Sequence, residues 1–192
     1  MLCTKLYTQK GFFMKTTIIK VLFSTSMLFF SASAFADHHE TGEEKAKTVI
    51  GYDTTEGTRA DLYAGSLDTI EVWTKYMKAH DDNDLDAIRA ANAEGFKAWV
   101  SDGSVLESTD AQINLLKDWF ATSSPKWEHR YSMANEFTDK DGKLQQWVTT
   151  GWELTETVDG EISKRQEIFD VLIENGKIKT IYIAARSILT AE

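Results

Sequence analysis

The chain has 192 residues, with one proline, one cysteine and a formal net charge of −9 at neutral pH. A single cysteine excludes an intramolecular disulfide framework, and a net negative charge disfavours binding to nucleic-acid phosphates or to anionic lipid surfaces. The length is enough for one domain with a single hydrophobic core.

The first 36 residues form a leader without an acidic side chain. An apolar run from residue 18 to 30 is followed by Ala34-Phe35-Ala36, which fits the small-x-small rule for cleavage of a signal peptide. The run is too short to span a bilayer. We therefore predict a signal peptide at residues 1–36, with Met14 as an alternative start. The mature protein is expected to be periplasmic or secreted, with no membrane attachment.

Cleavage after Ala36 removes four lysines and the lone Cys3. The remaining 156 residues carry 17 basic and 30 acidic side chains, so the net charge becomes −13. The acidic residues are scattered along the chain, a pattern typical of a solvated surface. No nucleic-acid partner is expected.

Residues 37–56 have little periodicity and are predicted to form a flexible arm ahead of one domain at residues 57–192. After cleavage the chain would begin with Asp37, His38 and His39. A free amine with histidine in third place can bind Cu(II) or Ni(II) through nitrogen atoms. We favour an unliganded tail at this position, and we expect no other metal site.

Three helices are predicted next. Apolar residues recur at helical spacing from Ser66 to His80 and again from residue 85 to 91. A third helix is predicted to begin at Thr109, which forms a capping box with Gln112. Short strands are predicted between the second and third helices, at residues 95–100 and 105–108.

The acidic stretch between the first two helices is either a calcium loop or a corner. Asp82, Asp84 and Asp86 match the first three ligands of a calcium loop, but alanines occupy the places of its required glycine and glutamate. We therefore predict a corner in which Asp84 or Asn83 caps the second helix.

The chain after Pro125 is predicted to be an antiparallel meander. Its turns are the pairs Asp141-Gly142, Asp159-Gly160 and Asn175-Gly176, which permit positive φ angles between β-rich runs. The four long strands are predicted at residues 126–139, 143–158, 161–174 and 177–188. Helices followed by strands indicate an α+β fold.

This order of elements resembles the nuclear transport factor 2-like superfamily, which includes SnoaL-like cyclases and ketosteroid isomerases. The resemblance covers residues 66–187 and rests on the DNDLDAI corner, the DG turn before the third helix and the final DVLIENGKIKTIYI hairpin. It implies a cone-shaped, curved antiparallel sheet of four long strands plus one or two short ones. Three N-terminal helices would cover its concave face. Members of the superfamily often form homodimers through the sheet.

Counting outward from the turns assigns alternate residues to the two faces of the sheet. One face carries aromatic rings and a few polar groups, the composition of a ligand pocket roofed by helices. The predicted ligand-binding residues are Trp73, Tyr131, Trp152, Phe169, Tyr182 and Arg186. For Trp73, core packing is the alternative. The opposite face has an apolar centre, which suits a homodimer, and a bulge in any strand would exchange the faces locally.

Glu167, His129 and Tyr76 are the candidate catalytic residues. A carboxylate among aromatic rings has a raised pKa and can transfer protons, but Glu167 could instead form an ion pair with Arg186. His129 could instead be a hydrogen-bonded wall residue. The ketosteroid isomerase resemblance places its oxyanion-hole tyrosine on Tyr76. Its base aspartate falls at or beside Val100, where no acid stands, so that chemistry is not expected.

Three functions fit these residues. The first is a binding protein for a small apolar or aromatic molecule, without a cofactor; we rank it first because no complete acid–base set can be assembled. The second is a cofactor-independent cyclase, isomerase or dehydratase in which Glu167 transfers protons. The third is a dimeric protein-interaction module.

Overall fold

The computed structural model describes residues 47–188. In this part of the chain, eight strands form one curved sheet in the order β1-β2-β5-β6-β7-β8-β3-β4, in which only β3 and β8 are parallel neighbours. The predicted α+β fold with three helices is confirmed. The elements are β1 Val49–Asp53, β2 Ala60–Ala64, α1 Leu67–Asp81, α2 Leu85–Ala91, β3 Asn92–Trp99, β4 Val105–Leu106, α3 Thr109–Thr122, β5 Lys126–Thr138, β6 Leu144–Val158, β7 Glu161–Glu174 and β8 Lys177–Ser187.

Two strands precede the helices where none was predicted. β1 lies inside the expected flexible arm, pairs with β2, and β2 in turn pairs with β5. Gly65 allows the chain to leave β2 close to β5, because a Cβ at this position would lie 3.0 Å from backbone atoms of Asn135. Because both strands are only five residues long, they are too short for an alternation of apolar and polar residues to be recognised in the sequence.

The helix ends follow ordinary capping chemistry. The predicted corner between α1 and α2 is confirmed: Asn83 has a positive φ of 56°, and the Asp84 side chain accepts a hydrogen bond from the Ala87 amide at 2.9 Å. α3 differs from the prediction, because its N-cap is Ser108 and not Thr109. Gln112 is therefore not a capping residue and is buried. None of the helices within residues 47–188 is long and apolar enough to cross a membrane.

The hydrophobic core lies between the helices and one face of the sheet, which we call the inner face. α1 contributes a stripe of buried side chains at helical spacing, Trp73, Tyr76, Met77 and His80. The sheet contributes fully buried residues such as Val148 from β6 and Val171 from β7. We call the opposite, uncovered side the outer face.

Two irregularities decide which residues lie on which face. In β5, His129 pairs with Trp152 of β6, and Tyr131 pairs with the next residue, Gly151, so Arg130 is left over as an extra residue. In β8, Ile178 pairs with Ile173 of β7, and Thr180 pairs with the next residue, Leu172, so Lys179 is the extra residue. After an extra residue in a strand, each following side chain lies on the face opposite to the one that simple alternation predicts.

The bulges place three predicted pocket residues on the outer face. Tyr131 and Tyr182 are 41% and 44% exposed there, and Arg186 lies beside Gln166 on the same side. They therefore lie outside the helix-covered space in which they were predicted, because each follows an extra residue in its strand; their role in ligand binding stays a prediction. The Tyr131 ring lies over Gly151 in the space that a Cβ would occupy.

The strands without an extra residue follow the predicted alternation. Trp152 on β6 and both Glu167 and Phe169 on β7 are buried on the inner face.

Candidate functional site

A cavity of about 110 Å³ lies between the helices and the inner face. Its exposed lining residues, Ser101 and Leu115, mark where it approaches the surface. The remaining wall combines aliphatic and polar side chains with six ring-bearing residues, Trp73, Tyr76, His80, Trp119, Trp127 and Phe169.

Glu167 forms the acidic part of the cavity wall. The residue is 5% exposed, and both of its carboxylate oxygens accept hydrogen bonds: Oε1 from Arg165 Nε at 2.8 Å and Oε2 from Trp127 Nε1 at 3.0 Å. Glu167 is therefore part of an ion pair and not an isolated acid among rings. The sequence suggested Arg186 as partner, which is wrong because Arg186 lies on the outer face.

Arg165 joins Glu167 to a second buried carboxylate. Its Nη1 donates to Glu156 at 2.6 Å, and Trp119 Nε1 donates to the other oxygen of Glu156, also at 2.6 Å. The guanidinium lies 5.8 Å from the centre of the Trp119 ring. Charge-assisted bonds of this kind are the strong ones in proteins. The two carboxylates and one guanidinium form a fixed row with a formal charge of −1.

His80 is the buried histidine of the site and was not among the predicted site residues. Burial lowers its pKa to about 4, so the imidazole is neutral at pH 7. Its Nδ1 lies 2.9 Å from the Tyr76 carbonyl oxygen. Because that oxygen can only accept a hydrogen bond, Nδ1–H is the donor and Nε2 is left as an acceptor. The available signal was its position seven residues after Trp73, on the buried stripe of α1.

Tyr76 lines the cavity as a polar group that stays protonated. Burial raises the pKa of its hydroxyl above the ordinary value. The hydroxyl oxygen accepts a hydrogen bond from Gln112 Nε2 at 2.6 Å, and Gln112 Oε1 accepts one from Asn92 Nδ2 at 2.7 Å. This chain of amides fixes the position of the tyrosine. Tyr76 can therefore donate a hydrogen bond but cannot act as a base.

Trp73 is both a core residue and part of the cavity wall. It is 1% exposed, and its ring centre lies 5.2 Å from that of Phe169 and 5.4 Å from that of Tyr76. Its indole Nε1 has no hydrogen-bond partner among the residues that the structure describes. This is unusual, because buried N–H groups are almost always bonded.

Two further predicted residues lie on the inner face but do not line this cavity. Trp152 is buried, and its Nε1 donates to Thr150 Oγ1 at 2.9 Å. His129 is exposed, its ring centre lies 4.9 Å from that of Trp152, and its Nε2 lies 2.9 Å from Ser132 Oγ. His129 therefore makes ordinary ring and hydrogen-bond contacts outside the cavity. Of the nine predicted site residues, the cavity brings together Trp73, Tyr76, Glu167 and Phe169.

The candidate copper or nickel ligands, Asp37, His38 and His39, lie outside the described residues. Within residues 47–188 no group of three His, Cys, Asp or Glu side chains is placed to hold a metal ion.

The sequence matches no family model and no curated protein. Several solved structures share its fold. A candidate polyketide cyclase from Xanthomonas campestris pv. campestris has 13% identity and a TM-score of 0.52, covering 61% of this chain and 89% of its own. An LEH-like epoxide hydrolase from M. tuberculosis has 12% identity and a TM-score of 0.52, covering 63% and 84%. An NTF2-like protein from Burkholderia xenovorans LB400 has 12% identity and a TM-score of 0.50, covering 64% and 92%.

The chain therefore has the nuclear transport factor 2-like fold that its sequence resembles. Identities of this size establish the fold alone. The similar structures include proteins named as a polyketide cyclase and an epoxide hydrolase and one named only by its fold.

Proposed function

We propose that this protein binds one small, largely apolar aromatic molecule in the inner cavity, without a cofactor. The observation that carries the proposal is a cavity of about 110 Å³ walled by aromatic side chains beneath the helices. Pockets for drug-sized ligands measure roughly 300–1,000 Å³, whereas an apolar cavity of roughly 150 Å³ holds a single benzene ring. The size therefore favours a one-ring ligand over a polycyclic one.

Filling the cavity tests this function. Ala98 is buried and lines the cavity, so Ala98→Leu places three more carbon atoms in the ligand space. We expect wild-type protein to bind toluene or phenol in calorimetry, with a raised melting temperature, and Ala98→Leu to lose that binding. Ala184→Leu is the matched control, because it makes the same change on the exposed outer face. Unchanged binding by Ala98→Leu would contradict the proposal.

Export is part of the proposed function. The supporting observation is the leader, whose small residues before Asp37 fit signal-peptide cleavage. In a Gram-negative host, we expect periplasmic protein with the intact mass of a chain that starts at Asp37. Ala36→Arg should keep the leader attached. An uncleaved wild-type chain recovered from the cytosol would contradict export.

Proton transfer is the second candidate function. Glu167 and the neutral His80 line the same cavity, and each can accept a proton from a bound molecule. We expect the protein to accelerate hydrogen–deuterium exchange beside the carbonyl of cyclohexanone, followed by NMR. Glu167→Gln should abolish the acceleration, whereas Glu153→Gln on the outer face should keep it. Exchange at the buffer rate would leave binding as the function.

A further inference from the structure

His80 carries a hydrogen-bond acceptor that its own helix does not use. The residue is 7% exposed and lines the cavity. Its Nδ1–H donates to the Tyr76 carbonyl oxygen at 2.9 Å, one turn back along α1. Because the two nitrogens of an imidazole point in nearly opposite directions, Nε2 points away from the backbone of α1. In this tautomer Nε2 can only accept a hydrogen bond.

Nε2 of His80 is open to a small molecule, although it has no partner in the protein. Within residues 47–188, three polar side-chain atoms are unbonded and closed to water, namely Trp73 Nε1, Asn92 Oδ1 and Trp147 Nε1. Nε2 of His80 is not one of these atoms, and the only hydrogen bond of its ring in this part of the chain is the one at Nδ1. A molecule the size of water can therefore reach it.

Aromatic rings surround the imidazole on its other sides. Its centre lies 4.6 Å from that of the Tyr76 ring, 5.8 Å from that of Trp127 and 6.3 Å from that of Phe120. Tyr76 and Trp127 line the same cavity as His80. The open space beside this ring is therefore the inner cavity.

The strong donors of the same wall are already used by the protein. The Trp127 indole donates to Glu167 at 3.0 Å, and the guanidinium of Arg165 also donates to this carboxylate. The Trp119 indole and Arg165 both donate to Glu156. A ligand acceptor would compete with these carboxylates, whereas a ligand donor would meet a free imidazole nitrogen.

A free acceptor changes the order in which an apolar cavity binds small rings. A hydroxyl group that enters such a cavity loses its hydrogen bonds to water, which costs free energy unless the protein supplies a partner. A methyl group of nearly the same size has no such cost. A cavity without an acceptor therefore binds toluene more tightly than phenol, and a free acceptor removes that preference.

We propose that His80 Nε2 accepts a hydrogen bond from the bound molecule, and that the cavity therefore selects a neutral one-ring compound with a hydroxyl donor, such as a phenol. This inference rests on the proposed binding function and adds the chemical class of the ligand. His80 is then the residue that determines specificity. The bond from its Nδ1–H to Tyr76 holds the ring in the tautomer that accepts at Nε2.

Three probes with the same number of heavy atoms test this selection. Phenol is a donor, toluene has no polar atom, and fluorobenzene is polar but cannot donate. Calorimetry on the mature chain at pH 7 should give phenol an affinity at least equal to those of toluene and fluorobenzene. Weaker binding of phenol than of toluene would overturn the inference, because it is the order expected of a cavity without an acceptor.

His80→Phe keeps a ring and removes the acceptor. We expect the ratio of the phenol affinity to the toluene affinity to fall about tenfold in this variant. Taking the ratio corrects for any change in cavity volume, which affects both ligands. His129→Phe is the matched control, because it makes the same substitution at an exposed position outside the cavity. An unchanged ratio in His80→Phe would assign the residue a packing role only and overturn the inference.

Wild-type protein provides a readout that does not depend on the variant folding. The chain has four histidines, whose ring nitrogens can be followed by nitrogen-15 NMR. At pH 7, His80 is identified by its neutral tautomer with the proton on Nδ1. Its Nε2 signal should move upfield with phenol and not with toluene, because a neutral ring nitrogen responds in this way when it accepts a hydrogen bond. If saturating phenol leaves the Nε2 signal unchanged, the inference is overturned.

The outcomes also separate the inference from the function beneath it. Binding of toluene with weak or undetectable binding of phenol overturns the acceptor role of His80 and leaves the binding function standing. If neither compound binds, both the function and the inference are overturned.

Discussion

The inner and outer faces of the sheet are built from alternate residues of the same strands, and they differ most in how they treat charge. On the inner face, Arg165 joins two glutamates whose side chains are 6% and 11% exposed. On the outer face, Arg130 also contacts two glutamates: Glu128 is 69% exposed, whereas Glu153 is 13% exposed and is also bonded to Lys164. The two arginines are similarly exposed, at 35% for Arg165 and 42% for Arg130. The difference lies in the carboxylates, because both inner ones are buried and share one cation, whereas one outer carboxylate is solvated and the other has a second cation.

This difference shows that burial, and not the number of ion pairs, determines how strongly each arrangement constrains the protein. Exposed pairs are screened by water and contribute little to stability. Removing one partner from a buried set leaves uncompensated charge, which is strongly destabilising. The set of Glu167, Arg165 and Glu156 on the inner face is therefore more sensitive to substitution than the outer pairs, and it borders the cavity.

Removal of the two arginines gives the largest expected contrast. Arg165→Ala leaves two buried carboxylates without a cation and should lower the free energy of unfolding by about 3 kcal/mol. Arg130→Ala should lower it much less, because exposed ion pairs are screened by water. Urea unfolding followed by tryptophan fluorescence measures both. Equal losses would show that the inner row is as well solvated as the outer pairs.

The buried His80 on α1 should make the protein less stable in acid. The pKa of His80 is lowered to about 4 in the folded protein, against roughly 6.5 when unfolded. The unfolded state therefore binds more protons between these values, and stability falls as the pH falls through that window. From pH 7 to pH 5 the loss from His80 is about 2 kcal/mol.

Replacing each histidine by phenylalanine isolates that contribution. His80→Phe should show a pH dependence of unfolding that is shallower than wild type between pH 7 and pH 5. His129→Phe makes the same substitution at an exposed position and is the control for the effect of the phenylalanine itself. Identical slopes for wild type and His80→Phe would mean that His80 is protonated without cost in the folded state.

Neighbouring threonines on β6 give a smaller contrast. Thr150 is fully buried and bonds to the Tyr131 carbonyl oxygen at 2.8 Å, while Thr149 lies on the outer face and donates to Asp170. Thr150→Val leaves the Trp152 indole N–H without its acceptor and should cost about 1.5 kcal/mol in unfolding experiments. Thr149→Val should be close to neutral. A reversed order would mean that the two faces are misassigned.

The smallest expected effect on stability concerns self-association. Ile168 and Tyr182 are 45% and 44% exposed on the outer face, and we propose that this face forms a homodimer. Ile168→Lys should convert a dimer into a monomer in sedimentation velocity without changing the melting of the monomer. Leu67→Lys, at an equally apolar exposed site on α1, is the control. A wild-type monomer at all concentrations would refute the homodimer.

The parts of the fold with regular spacing could be predicted from the sequence. The turn pairs located the meander, and strict alternation placed Trp152, Glu167 and Phe169 on the inner face. The bulges in β5 and β8 could not be predicted, because an extra residue in a strand leaves no mark in its hydrophobic pattern. Tyr131 and Tyr182 were misplaced for that reason.

The candidate site was only partly visible for a related reason. The partner of Glu167 is Arg165, two residues away on the same strand, so both point to the same face by simple alternation. The sequence pattern could not show that a guanidinium would be buried on the helix-covered side. His80 lay on the predicted apolar stripe of α1, but spacing alone does not distinguish a functional histidine from a core residue.

The extra residue in β5 also shows where this protein can change in length. His129 lies opposite Trp152 and Tyr131 lies opposite Gly151, the next residue of β6, so Arg130 is the residue without a partner in the ladder. Loss of the single codon for Arg130 would remove the bulge and leave every other residue of the strand on the side of the sheet that it now occupies. Such a deletion would remove the cation that contacts Glu153, but it would not exchange the buried and exposed sides of the strand.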